Sequence, residues 1–99
     1  MNMNALMQQA QRMQKDIEKK QKEIYESEFT GSSQLVEITI YGSKKIKKIN
    51  FKDLENLDKE DLEMLEDMIK IAFNDAVSKV ESAIESKLGA YSKQLGGLF

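Results

Sequence analysis

The side chains of this sequence best arranged to bind a ligand are its cations. Arg12, Lys15, Lys19 and Lys22 recur at spacings of three and four. On a helix turning about 100° per residue they fall within a sector of about 80°. Gln8 extends the row toward the N-terminus. No acid enters it before Glu26, because Asp16, Glu18 and Glu23 sit on its flanks. A continuous cationic ridge of this kind suits the tracking of phosphates, which supply most of the affinity in nucleic-acid binding. An ordinary solubilising helix face would look the same. A second cluster, Lys44, Lys45, Lys47, Lys48 and Lys52, falls within nine residues. Four of these, Lys44, Lys45, Lys47 and Lys48, would add secondary phosphate contacts, or the cluster would protect an exposed strand edge from pairing with another chain. No aromatic residue stands among Lys44 to Lys48. That argues against base stacking and single-strand recognition, so the expected ligand is double-stranded DNA met through its backbone.

Other chemistry is poorly provided for. The chain has no Cys and no His, which removes disulfides, thiolate chemistry, the commonest general base and the commonest transition-metal ligand. It has no Gly-rich phosphate loop and no Ser-x-x-Lys arrangement. Eight acids lie between Asp53 and Asp67, opposed only by Lys59. Glu63 and Asp67, one helical turn apart, could begin a hard-cation site, but a solvated acidic face at a helix N-terminus accounts for them more simply. The expectation is a protein that is not an enzyme and has no cofactor, metal or small-molecule substrate. The longest apolar run is three residues, such as Ile71-Ala72-Phe73, so no membrane span is expected. The N-terminus lacks the pattern of a signal peptide, which points to the cytoplasm.

Length and patterning set the elements that must carry these groups. Ninety-nine residues suit a single domain spanning 1–99, and the absence of Pro favours long unbroken helices. Met3, Leu6, Met7, Ala10, Met13, Ile17 and Ile24 form one stripe, which predicts a helix from Asn4 to about Glu26. Phe29 falls in a short first strand. Leu35 to Tyr41 alternates as a second, with Val36, Ile38 and Ile40 on one face. After a turn at Gly42-Ser43, Ile46 to Phe51 returns as a third, with Ile49 and Phe51 on one side. Asp58 reads as an N-cap with Asp61 three residues on, opening a helix from Lys59 to about Leu88. Its main stripe is Leu62, Leu65, Ile69, Phe73, Ala76, Val80, Ile84 and Leu88. The end, 91–99, contains Gly96-Gly97 and is expected to be a flexible tail.

Both predicted helices are longer than strands of six or seven residues, so their apolar stripes must continue against each other or against a second chain. A second row on the long helix, Met64, Met68 and Ile71, is the expected dimer contact. Charge is divided along the chain. Residues 1–52 carry ten Lys/Arg against six Asp/Glu, and residues 53–99 carry five against eleven. A protein-interaction scaffold or accessory subunit, using dimeric helices and the acidic face, is the alternative to DNA binding.

Three stretches carry a family resemblance across nearly the whole chain. They are Asn4-Ala5-Leu6-Met7-Gln8-Gln9-Ala10-Gln11-Arg12-Met13-Gln14, then Leu35 to Gly42, then Met64-Leu65-Glu66-Asp67 followed by Ala72-Phe73-Asn74-Asp75-Ala76. With the closing Leu95-Gly96-Gly97-Leu98-Phe99, the sequence resembles the YbaB/EbfC nucleoid-associated proteins of bacteria. The resemblance implies an α+β domain ordered α-β-β-β-α, forming a homodimer whose paired helices protrude like tweezers. It also implies a DNA-binding role located at the nucleoid, from broad nucleoid association to expression control, and no enzymatic activity. Its signature Ala-Phe-Asn-Asp-Ala has a packing reading as well, with Ala72 and Ala76 permitting close helix approach and Phe73 filling the core.

Overall fold

The structure, a computed structural model, describes residues 2–91. The first apolar row folds as α1 (Met3–Glu26), whose N-cap Asn2 accepts a hydrogen bond from the Asn4 amide through its side chain. Three strands follow, β1 (Glu28–Ser32), β2 (Val36–Tyr41) and β3 (Ile46–Phe51), forming one antiparallel sheet in the order β1-β2-β3. Two 3-10 turns, Leu54–Asn56 and Lys59–Asp61, lead into the long helix α2 (Leu62–Leu88). The Asp58 side chain accepts from the Glu60 amide while Asp61 accepts from the Asp58 amide, closing a capping box in front of α2. The expected α-β-β-β-α order is the observed one.

The face that α2 buries overlaps the predicted stripe, with Ala76, Val80 and Leu88 buried and Leu65, Ile69, Phe73 and Ile84 packed against the core, but it is shifted toward Met68 and Ala72. Its buried residues are Met68, Ala72, Ala76, Val80 and Leu88, while Leu62 is 63% exposed and Ile69 and Phe73 are only half-buried. Gly31 on β1 explains the rotation. A β-carbon there would collide with the Ala72 carbonyl and the Ala76 amide. Strand and helix backbones therefore touch, and only small residues fit between them. The helix turns Ala72 and Ala76 toward the sheet and displaces its bulkier Ile69 and Phe73 to one side. Val36, Ile38 and Ile40 of β2 complete this core, each contributing about 1.5–3 kcal/mol through burial.

Asp75 of the same signature has a structural task. Its carboxylate accepts the Ser32 amide at 3.1 Å and pairs with Lys79 at 3.8 Å. Lys79 in turn donates to the Thr30 carbonyl at 2.6 Å. The end of β1 is thereby tied to the helix it crosses.

A smaller core joins the helices at their C-terminal ends, where Ile17 and Ile24 of α1 pack on Leu88. Gly42 seats the β2–β3 turn directly on the Ile24 carbonyl, where a β-carbon would clash. Tyr91, expected to begin the flexible tail, is instead fixed. It ends a 3-10 turn (Gly89–Tyr91) and donates its hydroxyl to Asp16 at 2.7 Å. The rest of the expected tail, 92–99, lies outside the described residues. Because the two helices run antiparallel here, α1 from Met3 to Arg12 projects beyond the body, exposed at every residue. The molecule is accordingly 71 Å long and only 19 × 15 Å across. Among the described residues no helix is long and apolar enough to cross a membrane.

Candidate nucleic-acid interface

The direction of the α1 ridge follows from what α1 buries. Ile17 and Ile24 face α2, and Gln8, Arg12, Lys15, Lys19 and Lys22 lie on the opposite side of the helix. Gln8, Arg12, Lys15 and Lys19 are exposed. None of the four cations in this row has an acidic partner among the described residues, so their charge is presented to solvent. The other α1 cation, Lys20, is occupied: it pairs with Asp16 at 3.3 Å and lies 5.2 Å from the Tyr91 ring centre. Hydrogen bonding to Asp16 raises the Lys20 pKa, and the Tyr91 hydroxyl, followed by Lys20, lowers that of Asp16.

The second lysine cluster is divided by the sheet. Lys47 forms a 2.7 Å ion pair with Glu28 of β1, and this hydrogen bond raises its pKa. Lys52 reaches Glu37 at 4.0 Å. Lys44, Lys45 and Lys48 have no such partner among the described residues. Lys44 turns the chain with φ 73°, and the contact of Gly42 with Ile24 brings this turn to the base of α1. Of the four lysines named as secondary contacts, three therefore present unneutralised charge and Lys47 does not.

The expected dimer row is corrected at Met68. That side chain is buried within its own chain against the β2 residues, because rotation of α2 brings Met68 onto the Ala72–Ala76 face. Met64 and Ile71 remain exposed. A larger uncovered apolar surface lies elsewhere, where the hydrophobic pattern did not point. α2 lies across β1 and β2 and leaves β3 open. Ile46, Ile49 and Phe51 pair with Ile40, Ile38 and Val36 and share their face, yet all three are exposed. Between β3 and α2 runs a hollow of about 400 Å³, lined by Ile38, Ile46, Ile49, Ile69, Phe73 and polar neighbours. The signal available in the sequence was the Gly31, Ala72, Ala76 set, which shifts the helix away from β3.

Glu63 and Asp67 lie on the exposed start of α2. Among the described residues no group of three His, Cys, Asp or Glu side chains gathers to hold a metal ion.

A cationic helical arm on a three-stranded body, with charge free along one face, defines the class: a small α+β protein that presents its surface rather than a cleft. Comparison with known sequences makes this specific. The YbaB/EbfC DNA-binding family matches residues 1–95, and the chain belongs to that family. It is 42% identical over 97 residues to a nucleoid-associated protein of Streptococcus agalactiae serotype III, covering 96% of this chain and 97% of that protein. A nucleoid-associated protein of Streptococcus suis is 45% identical with the same coverage. The crystal structure of an uncharacterized protein from Helicobacter pylori shares the fold, with a TM-score of 0.67 over 97% of this chain and 99% of that one, at 21% identity.

Proposed function

We propose that this protein is a nucleoid-associated protein of the cytoplasm that binds double-stranded DNA as a homodimer, through phosphate contacts and with low sequence specificity. The observation that carries the reading is the unpaired row Gln8, Arg12, Lys15, Lys19 and Lys22, set opposite the buried Ile17 and Ile24. Lys44, Lys45 and Lys48, in the turn seated on the C-terminal end of α1 and in the strand after it, are the secondary contacts. These cations reach phosphates without a means of reading base edges, which is why specificity is low. The acids between Asp53 and Asp67 repel the duplex and restrict which surface meets it.

The dimer forms through the open face of β3. An edge strand beside an apolar hollow is a template for pairing with a second copy, and it is more extensive than the exposed Met64 and Ile71. Dimerisation doubles the cations on one particle. With about six phosphates neutralised per dimer, log affinity falls against log salt with a slope of roughly −5. The test is fluorescence anisotropy of a generic labelled duplex across a salt series. Binding that weakens steeply with salt and survives scrambling of the sequence is expected. Absence of binding at low salt overturns the reading and leaves the ridge as a solubilising face. The scaffold reading, which the acidic end and the apolar hollow favour, is then taken up by a pull-down with and without nuclease.

A further inference from the structure

The two ends of this elongated molecule carry apolar surfaces of opposite electrostatic character. At one end is the projecting part of α1, where Met3, Leu6 and Met7 are exposed, with Met3 at 74% and Met7 at 59%. With Ala10 they continue the stripe that Ile17 buries further down the helix, so they form one face of the arm. The arm carries Arg12 and Lys15 and no acid before Asp16. At the other end, where the 3-10 turns enter α2, Leu54, Leu57, Leu62 and Leu65 line a hollow of about 460 Å³ with Asp58, Lys59 and Asp61. Glu55, Glu60 and Glu63 stand beside it in sequence, so the net charge there is strongly negative.

The length of the molecule places these features at opposite ends. The 27 residues of α2 span about 40 Å, and α1 from Asp16 to Met3 adds about 20 Å beyond Tyr91. With the flanking turns these account for the 71 Å extent. The arm and the hollow therefore cannot meet within one chain.

We infer that the α1 tip of one copy docks in the Leu54–Leu65 hollow of another, joining copies head to tail. The hollow has room for side chains of Met and Leu size. The arm is about 10–12 Å thick, beyond the Debye length of about 8 Å at physiological salt but well within the roughly 30 Å at about 0.01 M, so at low salt its cations feel the acidic rim from the far side of the helix. A contact between two different patches is heterologous, and unless the rotation closes a ring it continues as an open chain. With about 10 Å of helix inserted, the axial repeat is about 60 Å. This inference shares the charge of Arg12 and Lys15 with the ridge but needs no phosphate contact and no β3 face, and it is tested without DNA, so its failure is separate from failure of the proposed function.

The experiment is sedimentation velocity of the full chain at low salt over a concentration series. The parent protein is compared with a tip variant (Leu6→Glu with Met7→Glu) and a hollow variant (Leu54→Lys with Leu62→Lys). All four substituted side chains are exposed, and circular dichroism checks that both variants fold. The expected result is growth with concentration in the parent, at least tenfold weaker self-association in each variant, and a mixed complex when the two variants are combined. Mixing pairs the intact tip of one variant with the intact hollow of the other, a contact that neither variant makes alone. Loss in the tip variant only, with the hollow variant unchanged, means that tips pair with each other and overturns the inference. Growth unchanged in both variants, growth absent from the parent, or no mixed complex overturns it equally.

Discussion

The hydroxyl of Tyr91 donates to the carboxylate of Asp16 at 2.7 Å, joining residues 75 positions apart. One turn beyond Asp16, past Met13, the first helix leaves the body of the protein, so this bond sits at the root of the projecting arm. Lys20 reinforces it from the next turn, pairing with Asp16 and lying over the Tyr91 ring. The direction in which the cationic ridge points is set by this small polar cluster together with Ile17, Ile24 and Leu88.

Tyr91→Phe keeps the ring and removes only the donor. Amide exchange in the Asp16–Lys20 turn is expected to quicken several-fold while the sheet amides are unchanged. Acidification should act in the same way. The Asp16 pKa is lowered by the Tyr91 hydroxyl first and by Lys20 second. A carboxylate depressed in the folded state stabilises it above the unfolded pKa, and that contribution is lost as pH falls through the folded value. Loosening of the arm therefore begins below about pH 4, and the pH dependence should be weaker in Tyr91→Phe. Equal exchange in both proteins across that range would show that the bond holds nothing.

Lys47 provides the opposite sign. Its pKa is raised by the hydrogen bond to Glu28, so its contribution is complete below the ordinary lysine value and is lost as pH rises through the folded one, above about pH 10.5. Chemical denaturation across alkaline pH should show Lys47→Met losing the part of the decline that the parent protein shows there.

Gly31 tests the packing of sheet on helix. A β-carbon at this position meets the backbone of Ala72 and Ala76, neither of which can rotate away. Gly31→Ala is expected to destabilise the fold by about 1–3 kcal/mol or more, the usual cost of overpacking, measured by urea denaturation. Gly89→Ala is the control. Its nearest neighbour would be the Glu85 carboxylate, the far end of a flexible side chain, and a change within about 0.5 kcal/mol is expected.

The elements were legible in the sequence because periodicity reports local structure: Met3–Glu26, the alternation at Val36, Ile38 and Ile40, and the Asp58 cap all stand where the pattern puts them. The face that α2 buries was only partly legible from the same pattern, which finds Ala76, Val80 and Leu88 but leaves out Met68 and Ala72. Leu62, Ile69 and Phe73 are more apolar than Ala72 and Ala76, so a hydrophobic stripe points to them. The rotation was decided by a glycine some forty residues away, which only a three-dimensional contact connects to the helix. From that one shift follow the burial of Met68 and the opening of β3. The cationic ridge was fully legible, since it requires only that Ile17 and Ile24 face inward. Which lysines of the second cluster remain unpaired was not, because Glu28 meets Lys47 through the register of the sheet.

The open face of β3 predicts where the dimer breaks. Ile49 lines the hollow and is 41% exposed in the single chain, so Ile49→Glu places a charge on solvent-facing surface and should leave the monomer folded. Light scattering at micromolar concentration should then fall from dimer to monomer mass. The same substitution at Ile71, on the other flank of α2, should leave the dimer intact. The reverse pattern would move the interface to the Met64 and Ile71 row.

The DNA reading depends most on the arm, and the lysines divide it into separable contributions. Arg12→Glu, Lys15→Glu and Lys19→Glu together reverse three charges on a face that packs against nothing, so fold and dimer should persist while duplex binding is abolished. Lys44→Ala, Lys45→Ala and Lys48→Ala remove charges that are free, and should lower the magnitude of the salt slope by about 1 for each phosphate no longer neutralised. Lys47→Ala should leave that slope unchanged, because its charge is already spent on Glu28. Anisotropy titrations over the same salt series distinguish all three. Full affinity in the arm triple variant removes the ridge from the interface. A slope change with Lys47 equal to that with Lys48 would mean that DNA displaces Glu28 and that the whole cluster is engaged.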